Sequence, residues 1–183
     1  YGVVEADLTD STLLRFGIDH QRYKATGAQG VPLIFTNGRQ THFARSTSSG
    51  ARWMYDEVKT TNYTVNFEQA LAHDWQFKVA ANHMDVDRSN LNGSYRLGSG
   101  RSFLDQATGN AGMLAYRAGA TQTQTGVDVT IQGPFDLGGR THEFIAGFNF
   151  QNYENKHKGW DVGVSTVDFN TWGNNMARPG DTG

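Results

Sequence analysis

Residues Val127–Gln151, VDVTIQGPFDLGGRTHEFIAGFNFQ, alternate apolar and polar positions on either side of a Gly-rich interruption. Val127, Val129 and Ile131 alternate with Asp128, Thr130 and Gln132. Beyond the interruption, Phe144, Ala146, Phe148 and Phe150 alternate with Glu143, Gly147, Asn149 and Gln151. Successive side chains of a strand point to opposite faces, so this period of two predicts an antiparallel pair with one apolar and one polar face. The same pattern predicts a pair at Tyr1–Leu8 and Leu13–Tyr23, joined by TDST. There Val4, Ala6, Leu8, Leu14, Phe16 and Ile18 lie on one side and Glu5, Asp7, Arg15, Asp19 and Gln21 on the other. Another pair is predicted at about Val58–Leu71 and Trp75–Val86, joined by AHD. Tyr63, Val65, Phe67, Trp75, Phe77, Val79 and Ala81 form its apolar side, and Asn62, Thr64, Asn66, Glu68, Gln76, Lys78 and Asn82 its polar side. The last pair reaches back towards Ala118 and turns through GPFDLGGRT.

Between the pairs lie three long connections, 24–57, 87–117 and 155–183, rich in Gly, Ser, Asn and Arg. Alternation alone fits two architectures, a soluble sandwich whose apolar face covers a core and a membrane barrel whose apolar face meets lipid. The connections discriminate between them. Short and long ones alternate strictly, which puts every tight turn at one end of the sheet and every long loop at the other, as in outer-membrane barrels. Connections beyond about 12–15 residues are uncommon unless they carry a function.

Composition bounds the chemistry. The 183 residues hold 22 Gly, 3 Pro and no Cys, which favours strands and excludes disulfides and thiolate metal sites. Sixteen Lys and Arg against 18 Asp and Glu give a net charge of −2, with no broad basic field for nucleic acid. No apolar run approaches the ~18 residues of a membrane helix; a membrane strand needs only about 9–11 residues, alternate ones apolar, so a mean hydropathy of −0.57 does not separate water from membrane. The chain opens inside an alternating strand and closes in ARPGDTG, and is expected to be an internal piece of a longer protein.

No enzyme constellation emerges, and the chain is expected not to be an enzyme. HEFIA has Ala146 where a zinc-protease helix places its second His, and the six His residues lack paired ligand spacing. DVDRSNLNG lacks the Gly and terminal Glu of a calcium loop, and GSGRSF follows no strand that would make it a phosphate loop. Asn62-Tyr-Thr and Asn92-Gly-Ser match a glycosylation acceptor pattern, a match that the outer-membrane-barrel reading makes accidental. The chemistry available is that of recognition. The long connections gather Phe35, Trp53, Tyr55, Tyr95, Tyr116, Trp160 and Trp172 with Arg39, Arg45, Arg52, Arg96, Arg101 and Arg117. Aromatic rings offer contact area at low entropic cost and Arg pairs with anionic oxygens, although rings at such positions also serve as a membrane-interface belt.

Three motifs carry a resemblance over Tyr1 to about Lys158. They are the strand Tyr-Gly-x-x-Glu-Ala-Asp-Leu at its start, the loop Gly30-x-Pro32-Leu33, and the turn Gly133-x-Phe135-x-x-x-Gly139-Arg140-x-His142. In this order the chain resembles the barrel of TonB-dependent ferric-siderophore receptors, the ferripyoverdine and ferric-coprogen branch. The resemblance implies an all-β, antiparallel, up-and-down transmembrane barrel, here about six of roughly 22 strands, with residues 1–183 one fragment of the barrel domain and the plug domain and other strands outside it. It also implies a Gram-negative outer membrane, a ferric siderophore bound at the extracellular loops as cargo rather than cofactor, import driven by the TonB complex, contact with outer-membrane lipid, and no nucleic-acid partner. The residues expected to meet the siderophore are Trp53, Tyr55, Phe35, Arg52, Tyr116, Trp160 and Trp172. A soluble carbohydrate-binding sandwich and a passive porin are the competing functions.

Overall fold

The computed structural model describes residues 1–27, 29–95, 104–174 and 178, with backbone but not side chains for Ser94, Lys158, Trp160, Asp161, Val162 and Val164. Six strands form one antiparallel-type meander in chain order: β1 Gly2–Thr9, β2 Thr12–Thr26, β3 Tyr55–Ala70, β4 Gln76–Tyr95, β5 Asn110–Leu137 and β6 Arg140–Asp168. Among the described residues the helical structure is a three-residue 3-10 turn, Ala72–Asp74, between β3 and β4. The sheet order β1-β2-β3-β4-β5-β6 is that of an up-and-down barrel wall, and among the described residues no second sheet lies against it. A soluble sandwich needs that second sheet.

The chain divides into two compact units. Unit 1 comprises Tyr1–Arg22, Lys59–Asp87 and Thr121–Lys156; unit 2 comprises Tyr23–Val58, Arg88–Ala120 and His157–Gly183. In unit 1 the register of β1 on β2 pairs Val4 with Phe16 and Ala6 with Leu14 on one face, and Glu5 with Arg15 on the other. Arg15 Nε donates to Glu5 Oε2 at 2.6 Å. The apolar face stays uncovered: Val4 is 66% exposed and Phe148 65%, with Leu8, Phe16, Phe144 and Phe150 also open. A face of this kind is what lipid solvates and water does not. The polar face carries side-chain hydrogen bonds such as Asn149 Nδ2 to Asp128 Oδ1 at 2.6 Å. Val3 and Ile145 are exposed apolar residues on that polar side.

At the tight-turn end, rings gather as an aromatic girdle does in outer-membrane barrels. Trp75 and Phe144 lie 5.9 Å apart, Phe67 and Phe77 6.4 Å, and Phe135 stacks on His142 at 5.4 Å. Trp75 also lies over Gly133, where an added Cβ would come within 2.5 Å of the indole.

The strands are longer than their alternation predicts. β4 continues to Tyr95, β5 begins at Asn110 and β6 continues to Asp168, so much of the expected long connections is paired strand. An apolar face is required only where a strand meets lipid, over about 9–11 residues; beyond that, backbone pairing continues without the hydropathy signal. The GPFDLGGRT turn contracts to Gly138-Gly139 between Leu137 and Arg140, both with positive φ, 62° and 72°. Two consecutive residues of positive φ fit the right-handed twist of a two-residue hairpin, and Gly adopts them without strain.

Candidate ligand-binding site

Unit 2 is built by side chains that fasten its connections to backbone. Ser48 Oγ donates to Gly27 O at 2.8 Å and Ser49 Oγ to Gly30 O at 2.5 Å. Trp172 Nε1 and Asn174 Nδ2 both donate to Ser48 O, at 2.9 and 2.8 Å, and Asn174 Nδ2 also reaches Gly50 O at 2.7 Å. Leu104, Ala111, Met113 and Phe169 form a buried cluster against which Val31, Phe35, Phe43, Tyr95, Val167 and Trp172 pack. Phe169 lies between Phe43 at 5.8 Å and Trp172 at 5.7 Å. The loops therefore have a core of their own.

That core occupies one face of the strands. In β5 the buried Ala111, Met113 and Ala115 alternate with Gly112, Leu114 and Tyr116; in β4 the buried Leu91 and Gly93 alternate with Asn90 and Asn92. Tyr116, Asn90 and Asn92 consequently belong to the opposite face, and there they line a cavity of about 230 Å³ together with Arg88, Tyr55, Asp56, Met54, Gln29, Thr26 and Ala25.

The charges in this cavity are paired. Arg88 Nε and Nη2 donate to Asp56 Oδ1 and Oδ2 at 3.1 and 2.7 Å, a two-pronged bond. The hydrogen bond and then the charge of Asp56 hold the guanidinium more firmly protonated than usual. Beside the cavity, Lys24 Nζ stands 5.5 Å from the centre of the Tyr55 ring and 3.8 Å from Glu57 Oε2. Asn92 Nδ2 donates to the Tyr116 hydroxyl at 3.2 Å. The Oδ1 atoms of Asn90 and Asn92 are buried and have no hydrogen-bond partner. A buried amide oxygen without a partner is costly, so the wall retains unused hydrogen-bonding capacity.

The structure separates the residues singled out from sequence. Tyr55 and Tyr116 meet at the cavity. Phe35 and Trp172 pack into the loop core. Trp53 lies over Gly93, where an added Cβ would stand 2.6 and 2.9 Å from two ring carbons. The Arg52 side chain is exposed, and its backbone amide donates to Asn174 O at 3.0 Å. Trp160 belongs to β6 rather than to a connection, and its side chain lies outside the described residues, as do Arg96 and Arg101. Sequence reading assigned Asp56, Arg88, Asn90 and Asn92 to no ligand site, because a run such as DRSNLNGS has loop composition. Its signal was the alternation of polar 88, 90 and 92 with Ser89, Leu91 and Gly93.

Comparison with known proteins assigns the relationship. The chain is 54% identical over 181 residues to the ferric-pyoverdine 358 receptor of Pseudomonas putida, covering 99% of this chain and 22% of that protein. The chain is a homologue of the ferric-pyoverdine receptors. It is also 29% identical to the ferripyoverdine receptor of Pseudomonas aeruginosa, over 98% of this chain and 22% of that receptor. The crystal structure of the outer-membrane ferripyoverdine receptor of P. aeruginosa bound to ferripyoverdine superposes with a TM-score of 0.83 at 24% identity, over 99% of this chain and 24% of that one. The six-stranded sheet is thus a section of an outer-membrane β-barrel wall, and the chain spans about a fifth of the length of these curated relatives. No family model matches it. The relatives compared are receptors, not enzymes.

Proposed function

We propose that this chain is a wall section of an outer-membrane receptor that binds a ferric siderophore of the pyoverdine class and imports it. The observation that carries the reading is the 54% identity along nearly the whole chain to a ferric-pyoverdine receptor. The cavity beside Tyr55 and Tyr116 supports it, since it joins two aromatic rings to unused hydrogen-bonding groups. In this reading the uncovered apolar face of unit 1 meets lipid and its polar face lines the lumen, and the long connections contribute to ligand recognition. A plug domain, the remaining strands and a segment engaging the TonB complex belong to parts of the receptor beyond this section. The open edges of β1 and β6 are closed by those strands, because lipid cannot satisfy unpaired backbone groups. The fragment contributes binding and passage, with no reaction on the ligand.

The test uses the full-length receptor. Purified in detergent, it should bind iron-loaded pyoverdine, and cells producing it should accumulate the iron only while the TonB complex is intact. A correctly assembled receptor that binds no ferric pyoverdine would overturn the assignment, and uptake unaffected by loss of TonB would favour a passive porin.

A further inference from the structure

The cavity in unit 2 has a chemical character of its own. At about 230 Å³ it is smaller than the ~300 Å³ at which pockets begin to enclose a whole drug-sized ligand, so only part of a siderophore enters it. The charged groups among its described lining residues, Arg88 and Asp56, are engaged with each other through two hydrogen bonds. An entering anion would have to displace the Asp56 carboxylate from the guanidinium. What the wall leaves unused is neutral: the two buried amide oxygens of Asn90 and Asn92, and the hydroxyl proton of Tyr116, whose oxygen already accepts from Asn92. Exchanging the oxygen and nitrogen of the Asn92 amide reverses its roles with Tyr116 and still leaves one unpartnered amide group within the cavity wall. Thr26 and Gln29 add further uncharged polar groups.

We infer that this cavity is a neutral hydrogen-bonding subsite: it takes an uncharged hydroxyl- or amide-bearing part of the ligand and excludes the anionic oxygens of the iron chelate. The inference rests on the siderophore-receptor reading above. Two roles follow. Asn90, Asn92 and Tyr116 supply the hydrogen bonds. Asp56 sets the selectivity by cancelling Arg88, and without it the same wall would present a bare guanidinium and accept anions.

The experiment measures equilibrium binding to the full-length, detergent-purified receptor with three probes: iron-loaded pyoverdine, and the same complex with its accessible amine and hydroxyl groups acetylated or succinylated. Acetylation adds neutral groups, whereas succinylation adds carboxylates at the same places. Wild-type receptor should bind the succinylated probe about tenfold more weakly than the acetylated one, and Asp56→Asn should narrow or reverse that preference in a salt-dependent way. Replacing Asn90 and Asn92 together by Leu should weaken binding of the unmodified complex by about tenfold or more. If the Leu variant does not assemble, the near-isosteric Asn92→Asp keeps the shape and should widen the discrimination against the succinylated probe. Equal binding of the two modified probes by wild type, or a succinyl preference unaffected by Asp56→Asn, overturns the subsite while leaving the receptor intact as a pyoverdine binder. Failure of wild type to bind the unmodified complex overturns both.

Discussion

Trp53 is the residue for which sequence and structure suggest the most different experiments. As a loop aromatic it is a natural ligand contact; in the structure its ring lies over Gly93, next to the bond from Ala51 N to Gly93 O at 2.9 Å. Trp53 is partly buried and Ala51 is 0% exposed. A large aromatic buries about 150–250 Å² when fully covered, and most of Trp53 is covered, so at the low end about 100 Å² is at stake. At about 25 cal/mol per Å² its loss removes on the order of 2.5 kcal/mol, an upper value because the unfolded loop is itself partly compact. In Trp53→Ala this loss should appear as local opening. Hydrogen exchange at the Ala51 amide should speed up by as much as about 50-fold, since each ~1.4 kcal/mol is a factor of ten. Affinity for iron-loaded pyoverdine, measured on the assembled fraction, should change by less than about threefold. Gly93→Ala approaches the same contact from the other side, and the clash it creates should loosen Ala51 by a comparable amount, about 1–3 kcal/mol of overpacking. The reasoning is refuted if Trp53→Ala leaves Ala51 protection unchanged while affinity collapses, since the ring would then be a ligand contact and not a cover for the strand.

Two further expectations concern sidedness and acid. Phe148→Arg puts a charge on the uncovered apolar face and should impair barrel assembly, at about 2–4 kcal/mol near the bilayer midplane, whereas Asn149→Arg places it beside Asp128 on the polar face and should assemble nearly normally; equal yields of heat-modifiable barrel from both would remove the lipid assignment. Asp105 Oδ1 accepts from the Ala107 and Thr108 amides at 2.8 Å each, and its hydrogen bonds, those with Thr108 foremost, hold the carboxyl below its usual range. A carboxyl lowered in the folded state contributes stability above its unfolded pKa and loses it as pH falls through the folded value. Protection factors of those two amides should therefore hold at neutral pH and decline in the acid range beneath the ordinary carboxylate pKa, a step that Asp105→Asn abolishes; a step of equal size in that variant would exclude Asp105 as its source.

What was legible in the sequence is what lipid writes into it. Pairs such as Val4 with Phe16 and Ala6 with Leu14 could be placed on one face before any coordinates, because a membrane strand must present apolar groups at every second position over its span. The polar residues between them needed only to be polar. The turn at Gly138-Gly139 was drawn too long for a related reason: Gly133-Pro134 upstream has turn composition, yet Gly133 stays within β5 and leaves room for the ring of Trp75. Its role depends on a residue 58 positions earlier (133 − 75), which local composition cannot register.

The cavity was illegible on the same grounds, carried further. In unit 2 the face that carries Leu91, Gly93, Ala111 and Met113 is covered by loop residues, so the burial that shaped those positions comes from distant segments and not from a continuous solvent. Small and apolar residues there alternate with Arg88, Asn90 and Asn92, and the mixture has the composition of a loop although it is strand. Asp56, Arg88 and Tyr116 are brought together only by the neighbouring positions of β3, β4 and β5, three strands whose contacts span roughly thirty residues of chain each. Choosing loop aromatics by type therefore gathered two populations. Phe35, Trp53 and Trp172 hold the loops onto one face, while Tyr55 and Tyr116 line the cavity on the other. On the strands the distinction lies in alternation rather than in residue type: Tyr95 shares the parity of the buried Leu91 and Gly93 and packs against the loop core, whereas Tyr116 alternates with the buried Ala115 and lines the cavity.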